Sequence, residues 1–215
     1  MIRSELVFLR HGQAQCNLDG LVGGPRTCTG LTDRGRAQVM QAALRLSVEH
    51  SAAPFTALYT GPRLRLEQTG AILAETLDLP LHIEPGLDGP IHGEADGRPW
   101  QEVKAVHGGG PHIRPDSPWA IGSDTWNAYL RRAGHHLLEL ITRHSTDRIL
   151  IAAHGEIVLA AHTLLLGLPE GTASGFTVDH ASLTRWHHHQ NRRGQQRWML
   201  DRHNDTAHLV PEAAS

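Results

Sequence analysis

Two histidines, each set directly after an apolar run and directly before a glycine, carry the first chemical signal in this 215-residue chain. Leu6-Val7-Phe8-Leu9 leads into Arg10-His11-Gly12, and Ile149-Leu150-Ile151-Ala152-Ala153 leads into His154-Gly155. Such runs predict buried strands covered on both faces. A cation and an imidazole at the carboxyl end of a central strand stand where open α/β sheets place their ligands. One His-Gly pair can be a structural accident; two, each closing a predicted strand, point to a shared catalytic site.

The surrounding residues say which chemistry. Residues 155–166 predict a helix, so His154 sits at a helix N-terminus, where amide dipoles favour an anion such as phosphate. Residues 56–60 predict a short strand, and Gly61-Pro62 then introduces a helix with Pro62 in its first turn. Arg65 falls in the opening turns of that helix, near the sheet's carboxyl edge if the strands are parallel. Arg63 is read as a surface salt-bridge residue. The loop 13–30 is rich in glycine and can offer backbone N–H groups to an anion. Cys16 and Cys28 flank it and are expected to be reduced.

The elements that must hold these residues follow in order. Thr32 caps a helix that ends near His50, Leu81 to Ile83 is a weak strand, and residues 84–122 form a Gly/Pro-rich lid with little periodicity. Ser123 or Asp124 caps a helix whose apolar face includes Trp126, Tyr129, Ala133, Leu137 and Ile141. Phe176–Asp179, Leu183–His187 and Arg197–Leu200 complete the sheet as a meander. Alternating strands and helices predict one domain over residues 1–215, a three-layer α/β/α sandwich with a mostly parallel central sheet.

Composition bounds the partners. Lys plus Arg total 20 against 22 Asp plus Glu, which gives no basic field for nucleic acid. No run approaches membrane-spanning length, and the first strand begins near residue 6, so a cytoplasmic protein is expected. Seventeen histidines include His187-His188-His189, which reads as a strand end leading into a polar turn rather than a metal site.

The set Arg10-His11-Gly12, Asn17, Leu31-Thr32-x-x-Gly35, Arg65-Leu66-x-Gln68-Thr69 and His154-Gly155 resembles the histidine phosphatase superfamily, also called phosphoglycerate mutase-like. The ending Asn204-Asp205-Thr206-Ala207-His208-Leu209 looks like that of its phosphatase branch, and the likeness spans nearly the whole chain. It implies the corresponding fold and a phosphomonoester hydrolase without metal or cofactor, acting on a small-molecule phosphate. His11 would become a phosphohistidine that water then hydrolyses. Arg10, Arg65 and His154 would clamp the phosphate, joined by Asn17 and Gly155, and the segment of His208 would lie beside the site. A homodimer is the favoured assembly.

Two positions depart from the pattern. Ala14 replaces a hydroxyl residue, and Gly89 stands where the family places a Glu proton donor. A missing general acid costs about 10²- to 10⁴-fold with a poor leaving group. Three readings stay open. Glu94 or Asp88, with His92 behind them, replaces the donor; the substrate has an acidic leaving group; or the protein is a catalytically idle or repurposed phosphate-ligand binder. A phosphoglycerate-type mutase is the alternative activity, disfavoured by the shorter chain. Trp100, Trp119 and His107 are candidates to line a pocket for a ring-bearing alcohol.

Overall fold

The computed structural model describes residues 1–172 and 175–210. In chain order the elements are β1 (Ile2–Arg10), α1 (Gln15–Leu18), α2 (Asp33–Ala52), β2 (Ala57–Thr60), α3 (Leu64–Leu77) and β3 (Leu81–Ile83). They continue with α4 (Trp100–His107), α5 (Trp126–Arg143), β4 (Arg148–Ala153), α6 (Gly155–Leu166), β5 (Leu183–Gln190) and β6 (Gln196–Asp205).

The six strands lie in the order β3-β2-β4-β1-β5-β6. β3, β2, β4 and β1 are parallel, while β5 and β6 run antiparallel at the other edge. Alternation along β1 sends Leu6 and Phe8 to one face and Val7 and Leu9 to the other. The first pair meets Tyr129, Leu137 and Ile157 of α5 and α6, and the second meets Val39, Leu46 and Leu73 of α2 and α3. Helices on both faces explain why the central strands read as continuous apolar runs, and the expected three-layer α/β/α sandwich is what the chain forms.

Several boundaries differ from the sequence reading. β1 starts at Ile2, because pairing with β5 begins there, outside the apolar run. Thr32 caps α2 as expected, its hydroxyl accepting from Gly35 N at 2.9 Å. The cap of α5 is Thr125, which accepts from Ala128 N; the Asp124 carboxylate accepts instead from Ile91 N and Arg132. α3 begins at Leu64, so Pro62 lies outside its first turn. Phe176–Asp179 forms no strand.

The Gly/Pro-rich segment 84–122 carries more structure than its composition suggested. Helix α4 lies within it, and Val22, Ala95, Val103 and Trp119 build a small core of their own, with Trp100 against it. Asp96 closes this unit onto the loop after β1, accepting from Gly24 N at 2.9 Å and Arg26 N at 3.0 Å.

Gly12 and Gly35 let the start of α2 touch the turn after β1. A Cβ on Gly12 would lie 2.1 Å from Gly35 O, and one on Gly35 would lie 2.0 Å from Gln13 O. Both obstacles are backbone and cannot swing aside. Gly35→Ala is therefore expected to lower stability by about 1–3 kcal/mol, as overpacking does, read as a reduced urea midpoint at unchanged slope.

Candidate active site

Parallel pairing of β1 with β4 places Arg10 opposite Ala153, and His11 N donates to Ala153 O at 2.9 Å. Both strands therefore deliver their histidines to one point. The rings of His11 and His154 lie 5.2 Å apart, edge to face at 83°. Both are buried.

Hydrogen bonds fix the state of His11. Its Nδ1 lies 2.7 Å from the Gly12 carbonyl, which can only accept, so Nδ1 carries the proton. Nε2 then presents its lone pair, and Arg65 Nε donates toward it at 3.3 Å. Burial, followed by the Arg65 guanidinium, the neighbouring His154 ring and the Arg10 guanidinium, holds this imidazole well below its ordinary pKa. His154 is held down by burial first, then by Arg65 and Arg63. A neutral, oriented imidazole whose Nε2 carries an unprotonated lone pair has the character of a nucleophile once an incoming group takes over the Arg65 donor.

Around it stand the cations. Arg10 comes from the end of β1, donating to Val178 O and meeting His180 Nε2 at 3.2 Å. Arg65 projects from the first turn of α3, where Nη1 donates to Gly23 O at 2.9 Å and faces Cys28 Sγ at 3.3 Å. Neither cysteine is in a disulfide, and burial pushes the Cys16 thiol up. Asn17 sits at the rim, its Oδ1 taking Ala14 N at 3.1 Å and lying 3.1 Å from His180 Nε2. Gly155 opens α6, with His154 as the residue before it.

Arg63 departs from the expected surface salt bridge. It is 4% exposed and lines the cavity, its Nη2 donating to Asp88 Oδ2 at 3.1 Å and its Nη1 to Gly23 O at 3.2 Å. The arginine reaches inward because α3 starts two residues later than Pro62 suggested, which makes Arg63 the cap residue at the sheet edge.

The candidate proton donors fall apart. Asp88 is turned to Arg63 and His154: its Oδ1 takes Gly89 N at 2.8 Å and lies 3.3 Å from His154 Nε2. Glu94 is exposed and is not among the residues lining the cavity. His92 lines it, but burial and Arg63 hold its pKa at about 4, so it is neutral at pH 7. Gly89 does border the site, since a Cβ there would lie 3.0 Å from the His154 ring and 3.1 Å from Arg63 Nη1. Of Trp100, Trp119 and His107, Trp100 borders the cavity that His11 and His154 line. Trp119 lies in a neighbouring small cavity, and His107 is buried away from both. His208 Nε2 donates to Ala181 O at 2.9 Å, and Ala181 N donates to His11 O at 3.2 Å, so His208 reaches His11 only through the Ala181 backbone.

Arg63, His180 and Glu156 were missed. Glu156 lies in the first turn of the same predicted helix that starts after His154, so an acid there was a readable signal. Arg63 is two residues from Arg65. His180 lies in the irregular stretch before β5, with no local pattern to mark it.

The walls enclose a cavity of about 40 Å³, the scale of a few waters or one phosphoryl group. A second, larger cavity of about 610 Å³ opens beside it, with Trp126, Leu130, Leu159, Phe176 and Val178 in its walls. Among the described residues, no group of three His, Cys, Asp or Glu side chains could hold a metal ion.

Comparison with known proteins gives the family and the fold. The family described as "Histidine phosphatase superfamily (branch 1)" matches residues 6–206. A 2,3-bisphosphoglycerate-dependent phosphoglycerate mutase of Bartonella henselae is 30% identical over 177 residues, spanning 76% of this chain and 82% of that protein. A glucosyl-3-phosphoglycerate phosphatase of Mycolicibacterium vanbaalenii is 29% identical over 221 residues, spanning 95% and 96%. The structure of a mycobacterial glucosyl-3-phosphoglycerate phosphatase with VO3 superposes with a TM-score of 0.78 at 22% identity, covering 93% of this chain and 98% of that one, and shares the fold.

The depressed histidines set a pH dependence of stability. His92, His162 and His180 are each lowered to about 4, chiefly by burial, and His11 and His154 lie well below their ordinary value. Below pH 6.5 the unfolded chain binds protons at these residues that the folded one refuses, so the stability present above 6.5 is lost as pH falls toward 4. Urea midpoints are expected to fall steadily over that window; a flat profile would contradict it. The loss tied to Asp205, held at about 2 by Arg45, comes only at lower pH.

Proposed function

The chain belongs to the histidine phosphatase superfamily, branch 1, and we propose that it hydrolyses small-molecule phosphomonoesters through a phosphohistidine formed at His11. One observation carries the reading: the Nδ1 proton of His11 is anchored on the Gly12 carbonyl while Nε2 points its lone pair into a cavity walled by Arg10, Arg65 and His154.

A phosphomonoester entering this cavity places phosphorus against Nε2. The lone pair attacks, and charge spreads over three equatorial oxygens. Arg10 and Arg65 supply planar forks for those oxygens, and the transfer needs positioned donors more than covalent help. Arg65 now directs Nε toward His11; an incoming phosphoryl oxygen offers that donor a stronger partner. His154, Asn17 and the start of α6 at Gly155 complete the cradle. Arg63 adds a third guanidinium, with Asp88 as counter-charge. In the second step water attacks phosphorus, the P–N bond breaks and orthophosphate leaves.

Hydrolysis is preferred over mutase chemistry because the alignment with the phosphatase relative runs nearly end to end, whereas the mutase relative matches about three quarters of this chain. The cavity of about 610 Å³ suits the organic body of the alcohol. The two free cysteines near Arg65 suit a reducing compartment, which favours the cytoplasm. Among the described residues no helix is long and apolar enough to cross a membrane.

Phosphate release from a panel of aryl and alkyl phosphates tests the proposal. His11→Ala is expected to reduce kcat/KM by about 10⁴-fold or more, and the wild type to form an acid-labile, base-stable phosphoenzyme. Release that survives His11→Ala would refute the nucleophile. Transfer between positions of a sugar acid without release would replace hydrolysis by the mutase reading.

A further inference from the structure

Expulsion of an alkoxide requires a proton, and the residues first considered for it are engaged elsewhere, exposed or neutral. We propose that Glu156, two residues beyond His154, is the general acid that protonates the leaving oxygen; this rests on the phosphatase reading above and deepens it.

The argument is one of position. Arg10, Trp100 and Glu156 are the residues that line both the phosphate cavity and the larger cavity beside it. A substrate with its phosphate in the first and its organic body in the second must thread its P–O–C bridge past those three side chains. Arginine keeps its proton at every working pH, and the indole N–H is not an acid in water. Glu156 alone of the three can give and retake a proton. It is also the one carboxylate lining the phosphate cavity among the described residues, since Asp88 serves Arg63 and His154 from behind the wall.

Its surroundings fit the role. The backbone of Glu156 belongs to the first turn of α6, so it is held rigidly beside His154. The side chain is partly buried. Arg10 from β1, His92 from the lid and Tyr129 from α5 all feel its charge. A bound phosphate brings negative charge next to the carboxylate, and a like charge favours its protonated form.

Protons and bonds balance through the cycle. As the Nε2 lone pair of His11 forms the N–P bond, the P–O bond to the alcohol breaks, and the proton of the Glu156 carboxyl passes to the departing oxygen. Neutral alcohol leaves, with Glu156 ionised and His11 phosphorylated. Glu156 then takes a proton from the water whose oxygen attacks phosphorus. The P–N bond breaks, its electron pair returns to Nε2, and orthophosphate departs with the carboxyl restored. The relocation also accounts for Gly89: position 89 faces His154 and Arg63, while Glu156 approaches the same bridge from α6.

The test is leaving-group dependence in the whole protein. Glu156→Gln keeps size and removes the acid. Its kcat/KM for an alkyl phosphate such as phenethyl phosphate is expected to drop by about 10²- to 10⁴-fold, while p-nitrophenyl phosphate, whose leaving group needs little proton transfer, loses less than about 10-fold. Glu156→Asp, which retains a carboxyl at the same helix turn, is expected to show the same selectivity to a smaller degree, and it provides the test if the Gln variant does not fold. A merely structural glutamate would lower both substrates together. Equal losses, no loss on the alkyl phosphate, or a selective loss produced by Asp88→Asn and not by Glu156→Gln would overturn the assignment. His11-dependent release in those cases leaves the phosphatase reading intact; absence of any His11-dependent release overturns both.

Discussion

Everything at this site depends on the parallel pairing of β1 with β4. Strands that run the same way end at the same edge, and the register that opposes Arg10 to Ala153 sets His11 and His154 side by side. The pair is central in the sheet, so helices cover both faces and water is excluded from the strands beneath the site. The imidazoles are therefore desolvated by the same packing that stabilises the fold. An antiparallel pairing of the same two sequences would put the histidines at opposite ends of the sheet.

That desolvation decides the electrostatics. Three guanidinium groups, from Arg10, Arg63 and Arg65, crowd two imidazoles, and in such surroundings neither ring takes a proton readily. The result is an uncharged, oriented imidazole within a cationic pocket. Asp88 offsets part of that charge through Arg63 and touches His154 Nε2, which locates its contribution behind the wall of the pocket. The Gly12 carbonyl completes the arrangement by holding one ring nitrogen, and the close approach of Gly35 holds the Gly12 turn in turn. Oriented catalytic groups need such supporting contacts.

The Gly/Pro-rich segment over the site illustrates a different kind of order. Its small core gathers Val22 from the loop after β1 with Ala95, Val103 and Trp119, residues scattered over nearly a hundred positions. No local period could reveal it. Asp96 binds backbone amides of residues 24 and 26 and so ties this unit to the loop that supplies Gly23 O to Arg63 and Arg65. The walls of the cavity around His11 and the walls of the neighbouring cavity are thus parts of one connected structure.

Much of this was legible in the chain itself. Apolar runs identified β1 and β4, the Thr32 cap and the helical period placed α2, and residues 155–166 matched α6 at both ends. Arg10, His11 and His154 stand out because each lies at or just beyond a strand end, where local pattern and sheet geometry together fix direction, whereas Arg65 takes its place in the clamp from the resemblance of the Arg65-Leu66-x-Gln68-Thr69 motif. Glu94 and Arg63 show the limit. Both lie in stretches whose local patterns are polar, yet one faces water and the other is buried in the wall of the cavity that His11 lines. Sequence fixes periodicity, caps and the ends of elements, since these are governed by neighbours within a few residues. Which side chains share a cavity, as Glu156, Arg10 and Trp100 do, was decided only by tertiary structure, because strand register and long-range packing bring together residues 146 positions apart along the chain.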